Sequence, residues 1–279
     1  MEKIGIIGVG FVGKSIYDCF KNKNIFVKGY DKYKNIDTFE DCLNCDCIFL
    51  CLPTQFDESL NRYDTSILLN CCKLLDLHTY EGLIIIKSTV EPGTTMEFFS
   101  EFKNLHLVHN PEFLSAKTAL KDFENQTHIV IGNCSGLDNQ INELNIFYKK
   151  MFPKAEISNC NSTESESMKI FCNSFYAVKI QFFTELFLLC NKMECDYDKI
   201  KDMMVKNNWI NPMHTMVPGP DGNISYGGLC FPKDTRALLS FMDRNKTLCG
   251  VLMSSVEEQK ILRKENLNII KSDLEKETD

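Results

Sequence analysis

No apolar run in this sequence approaches the roughly 20 residues that a bilayer requires; the longest, such as Leu83–Ile86 and Phe187–Cys190, stop far short. No membrane partner is expected. A basic excess is also lacking, since 31 Lys and Arg face 38 Asp and Glu for a net charge of −7. Without that excess, or a local basic patch, the general attraction to phosphate backbones is missing, and nucleic acid is not an expected partner. The start, Met-Glu-Lys-Ile-Gly-Ile-Ile-Gly, has neither the basic region nor the long hydrophobic stretch of a signal peptide, so a cytoplasmic location is expected. Internal repeats and low-complexity segments are absent as well.

Cysteine, by contrast, is plentiful, at 14 of 279 residues. The irregular spacing and the reducing compartment imply free thiols. Cys42-x-x-Cys45, with Cys47 and Cys51 nearby, has metal-like spacing, but no second pair lies at zinc-ribbon distance and Cys47–Leu52 alternates as a buried strand does, so no metal is expected. With 44% hydrophobic and 25% charged residues, the chain is globular and long enough for one large domain or two smaller ones.

Short apolar runs at 3–7, 25–30, 47–52, 83–86, 106–108 and 128–131 read as strands, separated by helical stretches at 12–20, 67–77 and 94–102. This alternation predicts a doubly wound parallel sheet. From Thr163 one long helix follows, with Met168, Phe171, Phe175, Val178, Phe182, Leu186 and Leu189 recurring at steps of three and four. Apolar residues on further faces of its later half predict burial between domains or between subunits. Shorter helices, a Pro- and Gly-rich loop over 211–228 and a helix from about Lys233 complete the pattern. The expected fold is α/β: an N-terminal Rossmann domain over 1–160, a helical central domain over 161–265 and a polar tail over 266–279.

Gly8-Val9-Gly10-Phe11-Val12-Gly13 follows the first strand and opens a helix, and Asp31 ends the second strand 18 residues after Gly13. In this setting the first glycine permits a turn, the second admits a pyrophosphate to the backbone and the third lets helix and strand pack closely. Free N–H groups at the helix start suit the phosphates. Asp31 can accept from ribose hydroxyls and repels a 2′-phosphate, which favours NAD over NADP; Lys32 and Lys34 beside it are read as solvated. Glu166, Lys169 and Asn173 share a helix face and either point into a cleft or form a surface ion pair with a neighbouring amide. Cys230 stands just before a predicted helix, where the local positive field and Lys233 would favour a thiolate; otherwise it is a small buried hydrophobe.

Taken in order, the glycine turn with Asp31, Leu52-Pro53-Thr54, Lys87-Ser88-Thr89-Val90 with Pro92-Gly93-Thr94, Asn110-Pro111-Glu112-Phe113-Leu114, Glu166-x-x-Lys169-x-x-x-Asn173 and Gly227-Gly228-Leu229-Cys230-Phe231-Pro232-Lys233-Asp234 resemble the UDP-glucose/GDP-mannose dehydrogenase family. Asn211-Pro212-Met213-His214-Thr215 with Val217-Pro218-Gly219-Pro220-Asp221-Gly222 is similar to one branch of it. The resemblance implies NAD-dependent oxidation of a nucleotide sugar at C6, as from UDP-glucose to UDP-glucuronate in polysaccharide biosynthesis, by two hydride transfers through a cysteine adduct. It implies Cys230 as nucleophile, Lys169 and Asn173 as oxyanion stabilisers, and Thr89, Glu112 and Asp234 as the groups that position and deprotonate water. Gly8, Val9, Gly10, Phe11, Val12, Gly13, Asp31, Pro53, Thr54 and Thr89 would bind the cofactor. Glu112, Phe113, Leu114, Lys169, Asn173, Tyr226 and Gly227 would bind the substrate. A homodimer through the long helix is expected.

Three departures stand out. Ala116 occupies the place of a second acidic residue, Trp209 or Ile210 falls where an arginine is usual, and the chain stops about where the family continues into a second Rossmann-like domain, which a separate chain could supply. The alternatives are an NAD-binding dimeric subunit without activity, a dehydrogenase of GDP-mannose or a UDP-N-acetyl-hexosamine, and a β-hydroxyacid dehydrogenase relative, which has no need of Cys230.

Overall fold

The apolar run Lys3–Ile7 forms β1, and Phe11–Asn22 forms α1, which buries Ile16, Cys19 and Phe20 on one stripe. The computed structural model describes residues 1–276, with side chains described to residue 264. Next come β2 (Phe26–Tyr30), α2 (Phe39–Leu43), β3 (Cys47–Leu50), the hairpin strands β4 (Phe56–Asp57) and β5 (Arg62–Tyr63), and α3 (Ser66–Leu77). They are followed by β6 (Leu83–Ile86), α4 (Thr94–Glu101), β7 (His106–His109), α5 (Ala119–Glu124), β8 (His128–Asn133), α6 (Asp138–Met151) and β9 (Glu156–Asn161). The long helix α7 (Ser162–Lys192) leads to α8 (Tyr197–Val205), α9 (Phe231–Arg244) and α10 (Gly250–Lys276). The chain divides into two units, the first Met1–Lys169 and the second from Ile170 onward.

In the first unit, seven strands form one sheet in the order β2-β1-β3-β6-β7-β8-β9. The expected doubly wound α/β sheet is present, and its inner strands are apolar on both faces because both faces are covered. Ile4, Ile6, Phe49 and Ile85 join a core around Phe20, whose ring meets those of Phe49, Phe123, Phe147 and Phe152. Ile7, Ile48, Leu50, Ile84 and Ile86 face the other core, with Leu68 and Leu75 of α3. One pair departs from the all-parallel expectation: β7 and β8 run antiparallel through Val108↔Asn133 and His109↔Gly132. Between them the chain makes the Asn110–Leu114 turn and packs α5 on α1, and β8 then enters the sheet at the end where β7 leaves it. The polar edge strand β9 and the short α2, α5 and hairpin carried no apolar period long enough to read.

In the second unit four residues of the expected α7 seam lie on the surface of the chain, while Met168, Val178 and Leu186 are half-buried. Ala177, Phe183 and Cys190 are buried with the polar Asn173, Ser174, Gln181 and Thr184, whereas Phe171 (52%), Phe175 (63%), Phe182 (50%) and Leu189 (51%) are exposed. Two of these buried polar groups meet one loop residue: Gln181 donates to Glu258 and accepts from the Ser225 hydroxyl, and Thr184 accepts from the Ser225 N–H. A smaller core gathers Phe183, Cys190, Tyr197 and Val217. Helix α9 starts at Phe231 rather than near Lys233, which makes Cys230 its N-cap. No helix among the described residues is long and apolar enough to cross a membrane. The tail expected over 266–279 lies outside the residues whose side chains are described.

Candidate active site

The glycine turn behaves as three different constraints. Gly8 has φ +90, and a β-carbon there would sit 2.5 Å from the Cys51 carbonyl oxygen. A β-carbon on Gly13 would lie 2.0 Å from the Gly8 carbonyl oxygen, so helix and strand can approach only at a glycine. Gly10 meets nothing within 4 Å. It is the N-cap of α1, with no side-chain cap and no acidic residue in the first turn, so orphan amides and the positive dipole end are available to an anion. Asp31 Oδ2 accepts from the Val9 N–H at 2.9 Å and Oδ1 from the Tyr33 N–H at 3.0 Å, which fixes its carboxylate beside the turn. Lys34 is exposed, as expected, and also donates from Nζ to the Val9 carbonyl. An open cradle at residue 10 and an anchored acidic group at the end of β2 fit a dinucleotide.

Two cross-links join the ends of β3 and β6. Ser88 Oγ donates to the Leu52 carbonyl at 2.6 Å, and Thr54 Oγ1 donates to the Thr89 carbonyl at 2.6 Å. The Thr54 hydroxyl, expected on the cofactor, is thus buried and engaged internally, while Pro53 beside it is exposed and Thr89 half-buried.

Beneath them lies a polar network that sequence reasoning missed. Lys87 Nζ donates to Asn110 Oδ1 at 3.0 Å and to the Pro111 carbonyl at 3.1 Å, while Asn110 Nδ2 donates to the Val130 carbonyl at 2.6 Å and Tyr148 OH to Asn110 Oδ1. Burial pulls the Lys87 ammonium down to about 8. The signal available was a lysine ending the apolar run Leu83–Ile86. This lysine holds the turn that presents Glu112. Glu112 Oε1 lies 3.2 Å from Lys169 Nζ, which also donates to the Glu112 carbonyl and sits 5.1 Å from the centre of the Phe113 ring. Glu112 Oε2 accepts from the Leu114 N–H at 2.6 Å, which ties the carboxylate into its own turn. Glu166 leaves the cleft face read for it: its carboxylate accepts from the Gly93 N–H and from the Thr95 N–H and hydroxyl, capping α4. Burial holds that carboxyl above its usual range.

In the second unit, Asn173 Nδ2 donates to Asp234 Oδ2 at 2.6 Å, and the Lys233 ammonium pairs with Asp234 Oδ1. Asp234 is fully buried, and its N–H donates to the Cys230 carbonyl one turn earlier. Cys230, half-buried, stands at the positive end of the 14-residue α9. Tyr226 and Gly227, expected at the substrate, both have partners within the protein. The Tyr226 side chain is buried, with its hydroxyl on the Ser255 carbonyl, because it serves as a strut to α10. A β-carbon on Gly227 would meet the Arg263 guanidinium at 2.5 Å, so any side chain there would have to push the arginine aside. Arg263 donates to Asp221 Oδ2 at 2.8 Å and to the Ser225 carbonyl at 2.7 Å, bracing the cysteine loop from α10. Cys42 and Cys45 are buried, and burial raises their thiols to about 12 and about 11.

The chain is similar to UDP-glucose 6-dehydrogenase of Campylobacter jejuni, 28% identical over 85% of this chain and 67% of the relative. It is 30% identical to that of Rickettsia typhi over 82% of this chain and 52% of the relative. It thus spans between half and two thirds of the length of these relatives. A UDP-glucose dehydrogenase from Pyrobaculum islandicum shares the fold, with a TM-score of 0.84, 22% identity, and coverage of 98% of this chain and 71% of that one. Residues 33–151 match the NAD binding domain of the UDP-glucose/GDP-mannose dehydrogenase family, and residues 163–259 match its central domain. With the glycine cradle and the cysteine loop in place on that fold, the chain belongs to the UDP-glucose/GDP-mannose dehydrogenase family.

Proposed function

We propose that this chain oxidises the C6 alcohol of a nucleotide sugar, UDP-glucose foremost, to the carboxylate. The observation that carries this reading is the thiol at the N-cap of α9, one turn before the buried Asp234–Asn173 pair. An alcohol-to-carbonyl oxidation alone needs no such nucleophile; a four-electron oxidation that must retain an aldehyde does. NAD, held at the Gly8–Gly13 turn with Asp31 on its adenosine ribose, would supply the hydride acceptor for both oxidations.

This chain's residues then divide the work. As the C6 alcohol gives its proton to water and its hydride to the acceptor, leaving the aldehyde, Lys169 and Asn173 stabilise the negative charge on its oxygen, and they do so again when the thiol adds. Cys230 Sγ bonds to the aldehyde carbon to give a thiohemiacetal, which becomes a thioester on loss of hydride. Thr89, Glu112 and Asp234 position a water and take its proton. Its oxygen bonds to the thioester carbon, the C–S bond breaks, and the thiolate and carboxylate separate. The partners seen at Lys169 and Asn173 hold each group in one geometry before substrate arrives.

A second reading, an NAD-binding subunit without activity, is favoured by the Lys169 ammonium being taken up by Glu112. One assay separates the two. NADH formation is followed with UDP-glucose, GDP-mannose and UDP-N-acetyl-hexosamines, for the chain and for Cys230→Ser. Turnover yielding two NADH per sugar, lost in C230S, supports the dehydrogenase. Absence of NADH with every sugar favours the subunit, and undiminished activity in C230S points to a β-hydroxyacid-type oxidation. The exposed apolar seam of α7 further supports a homodimer through that helix.

A further inference from the structure

The segment Asn211–Thr215 is built with unusual care for a loop with no assigned role. His214 has φ +66, a left-handed conformation that is uncommon for residues other than glycine. Lys179 of α7 holds it there by donating to the carbonyls of Asn211 (2.5 Å) and Met213 (2.8 Å) on either side of the bend. Met213 N–H on Asn211 Oδ1 and Thr215 Oγ1 on the Pro212 carbonyl, both 2.8 Å, close the turn. Tyr197 OH fixes its far end at the Thr215 carbonyl.

This scaffolding delivers one imidazole to one place. The His214 ring lies 4.7 Å from that of Tyr176 and 5.5 Å from that of Phe231, the latter at 82°. Tyr176 is one helical turn beyond Asn173, and Phe231 is the chain neighbour of Cys230. The imidazole is half-buried, and among the described residues no protein group is hydrogen-bonded to either ring nitrogen. Burial, together with the nearby Lys179 ammonium, holds the ring below the ordinary histidine range, so it is neutral near pH 7. A neutral imidazole offers one donor and one acceptor, which matches a hydroxyl rather than a phosphate. Strained backbone maintained by dedicated partners is characteristic of ligand clamps.

We propose that His214 is a substrate-contacting residue whose imidazole hydrogen-bonds a hydroxyl of the sugar presented to Cys230, against the aromatic surface of Tyr176 and Phe231. The proposal rests on the dehydrogenase reading and names the residue that reads the sugar itself.

The test is calorimetric titration of the full chain with UDP-glucose and with UDP, for the wild type, His214→Gly and His214→Asn. Glycine and asparagine both accept a positive φ, so the bend survives in each variant. UDP-glucose should bind about tenfold more weakly to H214G and within about threefold of wild type to H214N, which retains a short hydrogen-bonding group. UDP should bind all three alike. In the wild type, the His214 ring proton resonance, identified by its absence from H214N, should shift when UDP-glucose is added. Equal UDP-glucose affinity in wild type and H214G, or an unmoved resonance at saturation, overturns the proposal and leaves the dehydrogenase reading standing. Failure of the wild type to bind any nucleotide sugar overturns that reading and the proposal with it.

Discussion

Gly10 and Gly13 stand three residues apart in one motif yet answer to different constraints. Gly13 is required by protein, because its β-carbon would strike the Gly8 carbonyl oxygen at 2.0 Å, whereas the space around Gly10 is open. Gly13→Ala should therefore cost about 1–3 kcal/mol of stability and weaken NAD binding as well. Gly10→Ala should hold the unfolding midpoint within about 1–2 °C while raising the NAD dissociation constant about tenfold or more. Thermal unfolding and an NAD titration of both variants check this; a G10A chain as tight for NAD as wild type would contradict the cradle. Lys87 yields a pH prediction. Its ammonium titrates at about 8 in the folded chain and near 10.4 when unfolded. Between those values only the unfolded chain holds the proton, so this group makes stability rise with pH across that window, on the order of 3 kcal/mol in all. Below pH 8 both states are protonated and the dependence vanishes. Urea unfolding at pH 7.5 and pH 10 should show the wild type gaining on Lys87→Met over this interval, and a difference that stays constant refutes the assignment. The glycines were legible because their constraint is local. Lys87 was not, because Asn110 and Pro111 reach it only once β6 and β7 are paired.

Among the elements, α4 depends most visibly on a distant residue. It begins after Gly93, and its cap is the carboxylate of Glu166, 73 positions away from Gly93. Removing that carboxylate leaves two amides and a hydroxyl without their acceptor in a buried place. Glu166→Ala should lose about 3 kcal/mol, with Glu166→Gln intermediate, and amide hydrogen exchange should quicken first in the opening turn of α4. A Glu166→Ala chain as stable as wild type would show that water replaces the cap. This residue marks a limit of pattern reading. The spacing of Glu166, Lys169 and Asn173 correctly put them on one helix, but spacing says nothing of which neighbour each meets. Glu166 meets a helix start, Lys169 meets Glu112, and Asn173 meets Asp234. The strands were legible wherever both faces were apolar, as in β1, β3 and β6. The polar β9 was hidden because an edge strand needs apolar residues on few positions.

For the whole molecule, the partly exposed apolar seam of α7 is the feature that points beyond the single chain. Its periodicity predicts burial between domains or between subunits, and within the chain hydrogen-bonded polar residues, Gln181 and Thr184 among them, take the inner face. Contiguous exposed Phe and Leu side chains of this kind mark association surfaces. The chain should elute as a dimer at micromolar concentration by light scattering, and Phe175→Glu with Phe182→Glu should make it a monomer with little change in its unfolding midpoint. A wild-type monomer under those conditions refutes the interface. The family motifs were thus readable from residues 1–265, whereas the partners that hold Lys169, Asn173 and Tyr226 were not, since each comes from a remote stretch of chain. One last consequence concerns inheritance. A side chain at 227 would meet only the far end of the Arg263 side chain, which can swing aside, but the displaced guanidinium then forfeits its bonds to Asp221 and Ser225. A substitution at 227 is therefore felt as a loosened cysteine loop rather than as a clash.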